Sequence, residues 1–86
     1  MLELKDTIQG MTDPHYKERF KAEYQQVAIR IRKLEDLLRK EALGELDFRL
    51  ACPLNILNTQ LWHMKGYRDI LERRAELENI TLEDVK

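Results

Sequence analysis

Cysteine occurs once, at Cys52, so no disulfide can close within the chain. That excludes a disulfide-stapled scaffold and fits a reducing compartment. With 3 glycines and 2 prolines there are too few turn residues for an all-β meander. No apolar run approaches the ~18 residues of a membrane helix, and the N-terminus lacks the charged-then-apolar order of a signal peptide. A cytoplasmic location is therefore expected, with no membrane partner. An excess of one charge sign is also missing. Fifteen basic and 16 acidic residues give a net charge of −1, which argues against DNA as a partner. Catalytic and metal signatures are absent too. His15 and His63 stand apart from any grouping with metal-ligand spacing, and no glycine-rich phosphate loop occurs. Adjacent carboxylates such as Glu35 and Asp36 point to different sides of a helix and form no acid–base pair. A nucleophilic Cys52 would need a base that only the two histidines can supply. Neither an enzyme nor a cofactor-binding protein is expected.

What is present is helical amphipathicity. Charged residues make up 36% of the 86 residues and apolar ones 43%, the composition of exposed amphipathic helices. Phe20, Tyr24, Val27, Ile31, Leu34 and Leu38 recur at steps of four and three, the seam of a helix packed lengthwise on another. Thr12-Asp13-Pro14 marks the start of that helix, with Asp13 or Thr12 as cap and Pro14 in the first turn; Gly44 stops it. Cys52-Pro53 opens a second helix whose stripe runs Leu54, Leu57, Leu61, Met64, Leu71 and Ala75, with Asn79 closing it. The spacing predicts an all-α fold: a long antiparallel hairpin with helices over about 14–42 and 53–79 within residues 11–86. Residues 1–10 form a short N-terminal helix ended by Gly10, or an extension. Phe48, in the alternating stretch Glu45 to Ala51, is expected to tuck over the hairpin's end, and Leu34 to be buried at its middle. Arg32 with Asp36 and Glu35 with Arg39 are expected charge pairs. Thr81 to Asp84 reads as a capping box for a last turn.

One hairpin leaves apolar residues uncovered. Trp62 lies opposite the Leu57–Leu61–Met64 stripe, because helical neighbours are 100° apart; Leu37 and Ile56 are also off the seams. A thin core of this size is commonly completed by oligomerisation, so a homo-oligomer, dimer or higher, is expected. Its candidate interface comprises Tyr24, Leu37, Trp62, Gly66 and Tyr67. Gly66 is notable because glycine inside a helix costs about 1 kcal/mol against alanine, which points to close approach of another backbone or a ligand.

Between Lys17 and Glu41 eight basic residues face five acidic ones. A solvated helix face accounts for the excess; an anion site is the alternative. On that alternative, Arg30, Lys33, Trp62 and Arg73 are the candidate ligand-binding residues. An indole offers a flat surface to a base and guanidinium a fork of donors to phosphate.

Glu23-Tyr24, Val27, Arg30-Ile31, Lys33-Leu34 and Leu37-Leu38, with the later run Cys52-Pro53-Leu54, Leu57, Gln60-Leu61, Met64, Tyr67, Leu71-Glu72 and Arg74-Ala75, resemble small helical-hairpin proteins of phages and prophages related to a crAss-like phage gene product. The resemblance spans about Tyr16 to Ile80 and implies no activity residue by residue. By size and helical architecture the chain is also similar to phage anti-CBASS and anti-Thoeris sponges, whose sequence motif it lacks. That analogy implies a non-enzymatic counter-defence protein in the host cytoplasm, sequestering a small anionic nucleotide ligand of the cyclic oligonucleotide or cyclic ADP-ribose type. The alternative is a helical protein–protein inhibitor or adaptor without a small ligand.

Overall fold

The computed structural model describes residues 2–82, so the expected capping box reaching Asp84 falls partly outside the described residues. A 3-10 turn at Leu4–Thr7 leads into a one-turn helix α1 at Ile8–Met11; two long helices follow, α2 at Tyr16–Ala42 and α3 at Leu54–Glu78. The described residues contain no strand, and the all-α expectation holds. The long helices run antiparallel: Glu35 of α2 meets Lys65 of α3, Tyr24 meets Glu72, and Tyr16 meets Glu78.

Both long helices end in the same device. At the end of α2, Gly44 sits at φ 69°, Glu45 donates its N–H to the Lys40 carbonyl at 2.8 Å, and Gly44 donates to Glu41 at 3.1 Å. This is a Schellman closure, with glycine where the left-handed conformation costs least. Asn79 does the same for α3 at φ 57°, with Ile80 donating to Ala75 at 2.9 Å. Ile80 is thereby folded back into the core beside Ala75, the apolar contact that accompanies this motif. The start of α2 lies later than Pro14. The Asp13 carboxylate accepts the His15 N–H at 2.8 Å, and helical geometry begins at Tyr16. That bond holds the Asp13 carboxyl below its usual range.

The core is one-ended. Phe20, Val27 and Ile31 of α2 close on Leu71, Ala75 and Ile80, with Tyr24, Leu61, Met64 and Leu82 packed around them. Toward the connector Leu34, Leu38 and Leu57 are only half-buried, so full burial of Leu34 is not met. Phe48 does not tuck either; it is 57% exposed.

Ile80 and Leu82 seal the closed end of the core, whereas the N-terminal arm covers the opposite face of α2. It packs across α2 and makes no element contact with α3. Ala22 and Ile29, which lie on the α2 face opposite the Val27–Ile31 seam, are 2% and 0% exposed. Thr7 is buried there as well; its hydroxyl donates to the Leu4 carbonyl at 2.7 Å and accepts from Gln26 at 3.0 Å. Gly10 lies inside α1 rather than ending it, and a Cβ there would lie 3.0 Å from the Ala22 Cβ. The layers therefore run arm, α2, α3, with the outer face of α3 uncovered.

Candidate functional site

Where α2 lies between its two neighbours, a strip of its surface remains open. Arg30, Lys33, Leu34 and Leu37 form the floor of a hollow of about 270 Å³, walled by Leu4 of the arm and by Gln60 and Met64 of α3. A second hollow of about 230 Å³ adjoins it along Arg30 and Met64 and reaches Tyr67. Tyr67 also borders a third concavity, about 750 Å³, on the outer flank of α3, where Gly66 leaves a notch between Trp62 and Ile70. Arg30, Lys33 and Leu37 thus line adjoining hollows, and Tyr67 borders both these and the separate concavity that holds Gly66 and Trp62. Another hollow, at the connector beside Phe48 and Cys52, contains none of them.

Charge along these hollows is uneven. Lys33 Nζ lies 3.6 Å from a Glu3 oxygen, and Arg32 holds the other Glu3 oxygen at 2.9 Å and the Leu2 carbonyl at 3.1 Å. The expected Arg32–Asp36 and Glu35–Arg39 pairs do not form. Arg32 turns to the arm, Glu35 to Lys65 across the hairpin at 3.0 Å, and Asp36 to Arg39 and Lys40, which hold its carboxyl below the usual range. Arg30 lines both inner hollows and makes no ion pair or side-chain hydrogen bond among the described residues. The nearby Glu23 accepts a hydrogen bond from the Tyr67 hydroxyl.

Two candidates, Tyr24 and Arg73, line none of these three hollows. Tyr24 is half-buried on the core side, donating to Glu72 at 2.7 Å. Arg73 projects from the outer face of α3, paired with Glu76 at 3.1 Å. Trp62 is 72% exposed, its ring set edge-on to His63 at 5.1 Å. Nothing lies within 4 Å of a Cβ placed on Gly66, so no packing inside the chain explains that glycine.

Sequence reasoning passed over Leu4, Gln60 and Glu23, whose place on the inner hollows depends on tertiary packing. It also passed over the clasp at the closed end. There Tyr16 donates to Glu78 at 2.7 Å, and Arg74 donates to the Tyr16 oxygen at 2.7 Å and to Glu78 at 3.2 Å. The Arg74 guanidinium lies 4.9 Å from the centre of the Phe20 ring, within cation–π reach. The tyrosine's hydrogen bond pulls the Glu78 carboxyl below its ordinary value, and the same bond raises the Tyr16 hydroxyl. Arg74 and Glu78 stand one turn apart on α3, at i,i+4 spacing.

No cluster of three or more His, Cys, Asp or Glu residues with metal-binding geometry occurs among the described residues, and none of their helices is long and apolar enough to cross a membrane. A family model described as Sequestin matches residues 14–77, which takes in α2, the connector and nearly all of α3. No curated protein and no solved structure matches the chain.

Proposed function

This chain belongs to the Sequestin family, and on that premise we propose that it is a non-enzymatic sequestering protein. It binds a small anionic, base-containing ligand and holds it unchanged. The observation that carries this reading is Arg30, a guanidinium without a partner among the described residues that lines two adjoining hollows. A planar fork of donors in such a place suits a phosphate. Lys33 adds a second cation on the same floor, and Tyr67 stands between these hollows and the outer concavity beside the exposed Trp62 indole, a flat surface for a base. Arg73 serves a site completed by another protomer, since it lies outside the hollows of its own chain. The ligand class is the nucleotide-derived immune signal, a cyclic oligonucleotide or a cyclic ADP-ribose isomer. The setting is phage counter-defence in the host cytoplasm, where binding without turnover silences a signal.

A thermal-shift panel of cyclic di- and trinucleotides and cyclic ADP-ribose isomers tests this. One member should raise the melting temperature and be recovered intact after heating. The adaptor reading replaces this one if no member shifts the melt while the protein retains a defence protein from lysate, with the exposed Trp62 face as the contact.

A further inference from the structure

We propose that the smaller inner hollow selects the base of the ligand and that this base is guanine, held by the Glu23 carboxylate while Arg30 takes the phosphate. The inference rests on the sequestering reading and adds the identity of the base to it.

The hollow of about 230 Å³ has a polarity along α2. Glu23 and Gln26 line one end and Arg30 the other, with Val27, Met64 and Tyr67 as the less polar lining. Glu23 and Arg30 are seven residues apart, which is two turns, about 10 Å along the axis and on the same face. Beyond Arg30 the adjoining hollow adds Lys33. A phosphate is therefore drawn to the Arg30 end and repelled at Glu23. A nucleotide carries its charge at the phosphate and its hydrogen-bonding edge on the far side of the base. It lies along this floor in one direction only, with the base toward Glu23.

The polar groups around Glu23 are left as acceptors. Tyr67 gives its hydroxyl proton to Glu23, and the carboxylate keeps further lone pairs for other donors. Gln26 is oriented through Thr7. The Thr7 hydroxyl donates to the Leu4 carbonyl at 2.7 Å, so at 3.0 Å it accepts from the Gln26 amide nitrogen. The Gln26 amide oxygen remains as an acceptor. A base that fits must therefore offer donors. Adenine and cytosine each present one amino group beside a ring nitrogen that accepts. Uracil presents a single N–H between two carbonyls. On a carboxylate, each of these sets an acceptor against an acceptor. Guanine presents two neighbouring donors, the ring N1–H and the 2-amino group, which one carboxylate receives as a forked pair. Val27 and Met64 offer the ring an apolar surface, and a thioether is a favourable neighbour for an aromatic face.

Isothermal titration of the full chain tests this with three cyclic dinucleotides that share one sugar–phosphate ring and carry guanine, adenine or hypoxanthine. Hypoxanthine is guanine without the 2-amino group. The guanine compound should bind at least ~10-fold more tightly than the adenine one, the scale of discrimination by a forked hydrogen-bonded pair, with hypoxanthine between them. Glu23→Gln replaces two acceptors by a donor beside an acceptor, the pattern that suits adenine. It should bring the guanine-to-adenine affinity ratio to one or below, with helical circular dichroism unchanged, because Tyr67 can still donate to the amide oxygen. The ratio is the readout, since loss of a negative charge strengthens any anion alike. Arg30→Ala should weaken both compounds and leave their ratio as in wild type. Equal affinity for guanine and adenine compounds, or a guanine preference that survives Glu23→Gln, overturns the subsite while sequestration stands. Binding confined to a cyclic ADP-ribose isomer, whose base is adenine, does the same. No response to any of these nucleotides overturns both.

Discussion

Gly10 and Ala22 are packed so closely that a β-carbon on Gly10 would lie 3.0 Å from the Ala22 Cβ. The arm rests on α2 through this contact, and Ile29 depends on the arm for its cover. Gly10→Leu should therefore lift the arm at a cost of about 1–3 kcal/mol, the range for overpacking. Trypsin cleavage after Lys5 should accelerate in parallel. An unchanged urea midpoint together with an unchanged cleavage rate would mean that the arm does not need this contact.

The one-ended core predicts unequal losses along the hairpin. Leu71 is fully buried, so Leu71→Ala should cost about 2–5 kcal/mol. Leu34 is half-buried at the edge of the Arg30 hollow, and Leu34→Ala should cost only about 1 kcal/mol, in keeping with the smaller area it removes from water. Denaturant melts of the two variants compare them directly; equal losses would contradict the asymmetry.

The clasp at the closed end predicts a stability plateau in pH. Glu78 has a folded-state value below the unfolded one, chiefly through the Tyr16 hydrogen bond. Its contribution is full above the ordinary glutamate value and fades as pH falls through the folded one. Tyr16 is shifted upward by the same bond, so its contribution holds below the ordinary tyrosine value and fades as pH rises through the folded one. Tyr16→Phe should lower the melting temperature at neutral pH, and the gap to wild type should shrink at both extremes. A gap independent of pH would show that the bond contributes nothing that titrates.

Ligand binding should depend on Arg30 more than on overall charge. At 100 times the dissociation constant a ligand selective for the folded form adds about 2.7 kcal/mol of stability. Arg30→Ala should abolish that gain and leave the unliganded melt unchanged, because Arg30 has no partner to lose among the described residues. Arg73→Ala should weaken the gain only where protomers associate, so dilution should remove the difference between wild type and this variant. An Arg30→Ala chain that keeps its full ligand shift would place the anion elsewhere.

The hairpin was legible because its signals are local. Seam spacing, Gly44 and Asn79 act within a few residues, and each closes or faces a helix as its chemistry requires. The second face of α2 was not. Ile29 and Ala22 lie off the heptad seam, and only the docking of a short arm, too short to hold as a helix alone, explains their burial. Tertiary context also redirected the charges, since Arg32 and Glu35 found partners on other elements rather than one turn away. At the candidate site, residue types singled out Arg30, Lys33, Trp62 and Arg73 as ligand-binding candidates and Gly66 as an interface candidate, and all five are exposed. That Arg30 and Lys33 line adjoining hollows, with Tyr67 between these and the concavity at Gly66 and Trp62, followed only from how α2 and α3 pack, and Arg73 lines none of the three.

Glu3 already occupies the cationic rim of the Lys33 hollow, bridging Arg32 and Lys33 from the arm. Its carboxylate is a tethered rival for any anion that seeks Lys33, and the tether sets its effective concentration at a level no free buffer anion matches. Affinity at this rim is then a difference between two anions, so a ligand with two phosphates, able to engage Arg30 while displacing Glu3, gains over one with a single phosphate. Glu3→Gln relieves the rivalry and should narrow that preference by strengthening the weaker ligand most.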